Sequence, residues 1–267
     1  MKYIDEYRDA TMCRSIIREI AKMPINKTVT LMEVCGTHTM AIARYGLRGV
    51  LPDNVRLISG PGCPVCVTPN SYIDHACALA KEPNVTITTF GDLVRVPGST
   101  TNLERLQATG ADVRVVFSPL EALTIATNEP ERHVVFLGVG FETTAPTVAA
   151  LILAAAQEEA TNVSVLASPK LIPPPMRALA GNPEVAVDGY ICPAHVSAII
   201  GTSLYEDLAK DFGIPCVVAG FEPVDILRSI HMILERTCAG NPGVDIEYGR
   251  IVRPEGNPRA LEVLYQV

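Results

Sequence analysis

The feature that most constrains the fold is an alternation of β-branched apolar runs with segments of helical periodicity along the 267 residues. The runs predict strands at 29–34, 55–58, 85–88, 113–117, 134–139, 163–166, 186–191 and 216–219. The segments between them predict helices at 37–46, 70–81, 101–109, 119–127, 143–158, 195–210 and 223–236, and residues 5–22 predict one more. Apolar strands separated by helices are typical of parallel sheets built from βαβ units. The sequence therefore predicts an α/β fold.

The number of strands allows one large sheet or two smaller ones, and we favour two related domains of about four strands each, with parallel sheets flanked by helices. Residues 1–130 form the first predicted domain and residues 131–243 the second. Two short echoes suggest a duplication, since Gly-Phe-Glu at 140–142 recurs at 220–222 and Cys-Pro at 63–64 recurs at 192–193. The echoes are too short to decide between duplication and chance.

The last part of the chain, residues 244–267, changes character. Two alternating stretches flank a Pro-Glu-Gly-Asn-Pro turn, a pattern that predicts an antiparallel C-terminal hairpin. Because the chain stops inside the second of these stretches, we expect it to be either a fragment or a shortened protein that lacks a further C-terminal segment.

The composition narrows the class of partner. A net charge of −7 and the absence of Trp disfavour nucleic acid and anionic membrane surfaces. The longest apolar stretch, 148–156, is too short to cross a bilayer, and the charged N-terminus has no signal-peptide core. We therefore expect a soluble cytoplasmic protein, in which a close pair among its eight cysteines is metal-binding or redox-active rather than structural.

The first candidate site follows the first predicted strand. Gly36 allows a sharp turn after Cys35, and Thr37 can cap the helix that follows. The positive end of a helix dipole favours a thiolate, and His38 lies within one turn, where it can bond the sulfur, bind a metal or relay a proton. The alternative is a small buried cysteine beside a capping threonine.

The second candidate site, Cys63-Pro64-Val65-Cys66, follows the second predicted strand. Its spacing suits a reversible disulfide at the start of a helix, and it also suits half of a zinc site. A structural zinc ion needs four ligands, and the sequence has no second Cys-x-x-Cys. The flanking Gly60-Pro61-Gly62 predicts a fixed turn and a close approach of the backbone.

Polar residues follow two later strands. Glu142, Thr143 and Thr144 follow a Gly-x-Gly in which Thr143 replaces the third glycine of a dinucleotide-binding loop, so the motif is a weak signal for such a loop. These residues either present polar groups to a cleft or cap the next helix. His195 follows Cys192-Pro193-Ala194 and is a candidate ligand, proton carrier or helix cap.

Long stretches of this sequence resemble the HypD family of [NiFe]-hydrogenase maturation factors. The resemblance covers essentially the whole chain and rests on Met32–Thr39 (MEVCGTHT), Gly60–Pro69 (GPGCPVCVTP), Gly140–Pro146 (GFETTAP) and Pro193–Val196 (PAHV). It implies an α/β fold with a cleft between two related domains. It also implies a scaffold on which the Fe(CN)2CO group of the hydrogenase is assembled.

The resemblance further implies particular residues and partners. Cys35 holds the iron together with a thiol from a HypC-type chaperone, while a HypE-type protein supplies cyanide. Cys63 and Cys66 act as a redox dithiol or as further iron contacts. The family also carries a [4Fe-4S] cluster in a cysteine-rich C-terminal segment, and we expect that cluster to be absent from this chain because the sequence ends before such a segment.

Two other functions compete with this one. The first is a stand-alone thiol-disulfide oxidoreductase that uses Cys63 and Cys66, a hypothesis that gives Cys35 no role. The second is a small-molecule binding module with a cleft like that of periplasmic binding proteins, which needs no thiols.

Overall fold

Parallel sheets flanked by helices confirm the predicted α/β class in the computed structural model, which describes residues 5–267. The strands are β1 (Val29–Glu33), β2 (Val55–Ser59), β3 (Val85–Thr89), β4 (Val113–Val115), β5 (His133–Gly140), β6 (Val163–Pro169), β7 (Gly189–Pro193), β8 (Cys216–Ala219) and β9 (Val244–Ile246). The helices are α1 (Ala10–Ala21), α2 (Gly36–Arg44), α3 (Asn70–Leu79), α4 (Leu103–Ala108), α5 (Leu120–Asn128), α6 (Ala145–Gln157), α7 (Pro173–Ala180), α8 (Ala194–Ile200), α9 (Ser203–Phe212), α10 (Pro223–Ala239) and α11 (Pro258–Gln266).

The chain divides into two compact units. The first takes the chain as far as Cys63 together with Leu171–Pro258, and the second takes Pro64–Lys170 together with Arg259–Val267. Within residues 5–267, the first unit contains a sheet of order β2-β1-β7-β8-β9 and the second a sheet of order β4-β3-β5-β6. Neighbouring strands are parallel throughout both sheets.

The two sheets share a strand order. Counted along the chain within each unit, the first four strands of both units lie in the order 2-1-3-4, which is a doubly wound arrangement. This common order agrees with two related domains. The sequence echoes do not mark equivalent positions, because Gly140 ends the third strand of its unit whereas Gly220 follows the fourth strand of the other.

The predicted contiguous domains, with boundaries at 130 and 243, differ from these interleaved units. Residues 128–131 only connect α5 to β5, and β5 pairs directly with β3, with His133 opposite Val85. The chain leaves the first sheet after β2 and returns to it for β7. Such long-range pairing leaves no mark in local composition, so the sequence could not place the boundaries.

The structure also corrects the C-terminal hairpin predicted for 244–267. Val244–Ile246 is β9, which pairs in parallel with β8, and Pro258–Gln266 is a helix. A short alternating run is ambiguous between the two periods, and Pro258 suits the first turn of a helix. The predicted helix at 195–210 is two helices, because the chain turns at Gly201, whose φ is +74°.

Both faces of each sheet are covered, as expected for parallel strands. In the first unit, one apolar core joins β1, β7 and β8 to α1, α2 and α10. In the second unit, one core lies against α3 and α4 and another against α5 and α6. The helices thus cover the faces of the sheets, and the loops at the ends of the strands are the parts that can carry a functional site. None of the helices within residues 5–267 combines the length and apolarity that crossing a membrane requires.

We expect Leu31→Ala to destabilise the first unit strongly. Leu31 is fully buried in β1, which lies between β2 and β7. Its truncation removes buried apolar area and leaves a cavity, which costs about 2–5 kcal/mol of unfolding free energy. Urea unfolding checks this, with Leu204→Ala as the control because Leu204 is 46% exposed. Equal midpoints for the two variants would contradict the central position of β1.

Candidate functional site

The first unit has one place where its strand order reverses, between β1 and β7. In open doubly wound sheets, ligands bind outside the carboxyl ends of the strands at such a reversal. Cys35 and His38 follow β1, and His195 follows β7. Three of the residues predicted from the sequence therefore belong to loops and helix starts on either side of this reversal.

Cys35 is the residue at which α2 begins. It is the N-cap of the helix, a role that the sequence gave to Thr37, and its side chain makes no capping hydrogen bond. The thiol is free and half-buried. A half-buried thiol at a helix N-terminus, with no bond to the helix itself, is available to a ligand.

Glu33 supports Cys35 from the end of β1, a role that the sequence did not suggest. Its carboxyl group is fully buried, and this burial raises its pKa. One oxygen accepts from the Cys35 N–H at 3.4 Å and the other from the Thr39 hydroxyl at 2.8 Å. The carboxyl thereby fixes the backbone on both sides of the turn. Its only sequence signal was an acidic residue at the end of a mostly apolar strand.

The predicted close approach at Gly60-Pro61-Gly62 is present, and it joins the two cysteine motifs. The Gly36 N–H donates to the Gly62 carbonyl at 2.9 Å, and the Gly60 N–H donates to the Glu33 carbonyl at 2.7 Å. A Cβ on Gly62 would lie 2.5–2.7 Å from the backbone atoms of Cys35. The loops after β1 and β2 therefore pack backbone against backbone, and this close packing leaves no room for a side chain at position 62.

Cys63 and Cys66 are joined in a disulfide in the loop between β2 and α3. The other six cysteines of residues 5–267 are free. Thr68 closes the turn, since its hydroxyl donates to the Pro64 carbonyl at 2.8 Å. Cys66 is exposed, so a reductant in solution has access to the bond. The pair can therefore exist as a disulfide without disturbing either neighbouring element.

His38 is a fully buried imidazole with one occupied and one open nitrogen. Its Nε2 lies 2.9 Å from the Gly220 carbonyl and 3.2 Å from the Ala219 carbonyl, which assigns the hydrogen to Nε2 because carbonyl oxygens only accept. Nδ1 is buried without a hydrogen-bond partner. Burial lowers the pKa of His38 to about 4, so the ring is neutral at pH 7 and Nδ1 offers a lone pair.

Phe221 packs against two imidazole rings, another role that the sequence did not suggest. Its ring centroid is 4.7 Å from that of His38 and 4.3 Å from that of His195. The loss of solvent around the His195 ring lowers its pKa, although the residue remains partly exposed. The stack brings together segments that follow β1, β7 and β8.

The predicted residues Glu142, Thr143 and Thr144 belong to the second unit, where they follow β5 at the strand-order reversal of that sheet. Glu142 is buried and Thr143 is exposed. The Thr144 hydroxyl donates to the Phe141 carbonyl at 3.0 Å and so closes the turn before α6. A Cβ on Gly140 would overlap this hydroxyl, which explains the glycine.

The side chains so arranged can do thiol and imidazole chemistry. Within residues 5–267 no group of three or more His, Cys, Asp or Glu side chains is placed to hold a metal ion. Near the start of α2 the chain offers the free thiol of Cys35 and, at His38 Nδ1, a buried imidazole nitrogen without a hydrogen-bond partner. A single thiol leaves the other ligands of a soft metal group to come from elsewhere.

Comparisons with known proteins assign the family. A family model described as HypD, hydrogenase formation hypA family, matches residues 11–267. The hydrogenase maturation factor HypD of Rhizobium leguminosarum bv. viciae is 47% identical over 268 residues, which cover 97% of this chain and 70% of that protein. HypD of Rhodobacter capsulatus is 43% identical over 273 residues, and HypD of Escherichia coli is 40% identical over 273; each match covers all of this chain and 72% or 73% of the relative.

Fold and site together define a doubly wound α/β protein that presents a free thiol and neutral imidazoles at a strand-order reversal. The sequence identity and the length of the matches to known proteins identify the family within this class. The chain belongs to the HypD family of hydrogenase maturation factors.

We expect Gly62→Ala to separate the two cysteine motifs. The added methyl group overlaps the backbone of Cys35, which costs about 1–3 kcal/mol and breaks the bond from the Gly36 N–H to Gly62. Hydrogen exchange of the Gly36 amide should therefore accelerate. Gly49→Ala is the matched control, since a Cβ there meets nothing within 4 Å. Unchanged protection of Gly36 in Gly62→Ala would contradict the packing.

Proposed function

We propose that this chain is the scaffold on which the Fe(CN)2CO group of a [NiFe]-hydrogenase is assembled, with iron as its cargo. The observation that carries the proposal is the free, half-buried thiol of Cys35 at the N-cap of α2, with the open Nδ1 of His38 on the first turn of the same helix. Membership of a family of hydrogenase maturation factors supports the choice of process.

Cys35 is the proposed main iron ligand. Low-spin iron(II) carrying cyanide and carbonyl is a soft centre, and a thiolate is a suitable donor for it. A thiol must lose its proton when it binds a metal. His38 Nδ1 is the proposed acceptor of that proton, because it belongs to a neutral ring and has no other hydrogen bond. His195 is a second neutral imidazole beside the same phenylalanine.

The remaining coordination positions are proposed to come from partners. In the resemblance to HypD proteins, a HypC-type chaperone adds a second thiol and a HypE-type protein supplies cyanide. With Cys35 as the main thiolate from this chain, coordination positions stay open for these groups. Glu142, Thr143 and Thr144 stay proposed cofactor-binding residues. We expect these events in the cytoplasm, where thiols are kept reduced.

Cys63 and Cys66 are proposed to act as a redox pair beside the iron ligand, or as further iron contacts when reduced. The backbone contact between Gly36 and Gly62 fixes Cys35 next to the turn that leads into this pair. In the disulfide form neither sulfur is a thiolate, so iron contacts require prior reduction by two electrons and two protons.

We expect Cys35→Ser to keep the fold and lose the iron. One sulfur replaced by oxygen at a half-buried loop position removes little core packing, but a hydroxyl is a poor ligand for soft iron. The measurement is iron bound after anaerobic incubation with ferrous ions and desalting, together with the unfolding midpoint. Cys13→Ser is the control, since Cys13 is also free and half-buried. If Cys35→Ser binds as much iron as the wild type, the proposal that Cys35 is the main iron ligand is wrong.

The disulfide also supports the alternative function, a stand-alone thiol-disulfide oxidoreductase. Thiol counting on the denatured chain tests the pair itself. After mild oxidation the wild type should show the six free thiols of the structure, and after reduction all eight cysteines. Cys63→Ser should give the same count before and after reduction. Eight thiols in the oxidised wild type would show that the pair does not close.

The two functions then separate by their dependence on each cysteine. A stand-alone oxidoreductase needs Cys63 and gives Cys35 no role, so its disulfide-reducing turnover should survive Cys35→Ser. An iron scaffold should lose its iron in that variant. Turnover without any iron binding by the wild type would favour the oxidoreductase over the scaffold.

A further inference from the structure

A chain of hydrogen bonds connects Glu247 to His38 through a single peptide group. The His38 Nε2–H donates to the Ala219 carbonyl at 3.2 Å and to the Gly220 carbonyl at 2.9 Å. The Gly220 N–H donates to Glu247 Oε2 at 3.3 Å. The Ala219 carbonyl and the Gly220 N–H are the two ends of the same peptide group. Glu247 and His38 therefore bind opposite ends of one amide dipole.

We propose that Glu247 is a positioning residue for His38, which acts through the Ala219–Gly220 peptide and sets the basicity of His38 Nδ1. Hydrogen bonds in series polarise one another, and a carboxylate that holds one end of an imidazole makes its other nitrogen a stronger base or ligand. An ionised Glu247 polarises the Gly220 N–H, which increases the partial negative charge on the Ala219 oxygen and strengthens the hydrogen bond from the His38 Nε2–H. A protonated Glu247 polarises this peptide group less.

The geometry fixes Glu247 in this role. Both its own N–H and that of Tyr248 donate to the Val218 carbonyl, at 2.9 and 3.2 Å, so its backbone is held at the end of β8. The peptide also has to come close to the acidic residues, because a Cβ on Gly220 would overlap Asp225 Oδ2 and lie 2.5 Å from Tyr248 Cδ2. A residue with a side chain at position 220 would move the peptide away from Glu247.

The charges around Glu247 come from α10 and from the turn after β9. Asp225 on α10 is fully buried, and its Oδ2 accepts from Arg250 at 2.7 Å. The Arg250 guanidinium lies between two aromatic rings, 3.8 Å from the centroid of Tyr7 and 4.0 Å from that of Tyr248. The Arg250 guanidinium is thus bonded to Asp225 and not to Glu247, so an ionised Glu247 adds a further carboxylate charge to a half-buried pocket.

This arrangement makes the charge of Glu247 change near neutral pH. Burial is the largest cause that raises the pKa of Glu247 to about 7, and the charge of Asp225 is the second. The hydrogen bond from the Gly220 N–H and the charges of Arg250 and Arg228 lower this pKa in part. The pKa of His38 lies at about 4, well below this range. A change at His38 around pH 7 is therefore not its own titration. It comes from Glu247 or from His195, whose charge also acts on His38, and the Glu247→Gln variant tells the two apart.

The test is ¹⁵N NMR of the histidine rings in the full chain without iron, between about pH 5.5 and 8.5. The ring nitrogens of His38 should keep the Nε2–H form throughout and shift in one step with its midpoint near pH 7. Glu247→Gln should abolish this step, because an amide still accepts from the Gly220 N–H but carries no titrating charge. Glu255→Gln, at an exposed glutamate, should leave it unchanged.

Two results would overturn the inference. One is a His38 signal in the wild type that does not move across this range. The other is a step that persists in Glu247→Gln, which would assign it to another group. The exposed His133 of the second unit serves as the internal standard, and its signals should be the same in every variant. The inference rests on the proposed function only in taking His38 Nδ1 as the atom that accepts the proton from Cys35. Since the experiment contains no iron, its failure and that of the iron scaffold are separate results.

Discussion

The site depends on one backbone contact, the hydrogen bond from the Gly36 N–H to the Gly62 carbonyl. It brings the turns after two adjacent parallel strands so close that position 62 has no room for a side chain. The N-cap position of Cys35 and the start of the Cys63–Cys66 loop follow from it. The Cys35 thiol and the start of the disulfide loop are thereby fixed in neighbouring turns by main-chain atoms, while the sulfur atoms stay available for chemistry.

Local patterns in the sequence were sufficient to predict the first eight strands and the α/β class, because β-branched runs and helical periodicity are properties of short segments. They could not predict which strands pair. The chain leaves one sheet after β2 and returns to it at β7, and nothing in residues 128–131 distinguishes a helix-to-strand loop from a domain boundary. The C-terminal helix α11 was missed for a related reason, since seven alternating residues fit either period.

The same distinction applies to the site. The positions of Cys35, Cys63 and Cys66 after strands were predictable, because each follows a run that predicts a strand, whereas their functional roles stay predictions. The roles of Phe221 and Glu247 arise only from tertiary packing, when the ends of β8 and β9 meet the first turn of α2. A phenylalanine packed against two histidines, and a carboxyl group joined to an imidazole by a peptide, leave no spacing signal along the chain.

In the proposed function, Cys35 holds an iron atom that carries cyanide and carbonyl. An infrared spectrum of the anaerobically purified chain in complex with a HypC-type partner tests this. The wild type should show the stretching bands of iron-bound cyanide and carbonyl, and Cys35→Ser should lose them with the complex intact. Identical bands in that variant, or an iron-loaded wild-type complex without them, would show that Cys35 does not hold this group.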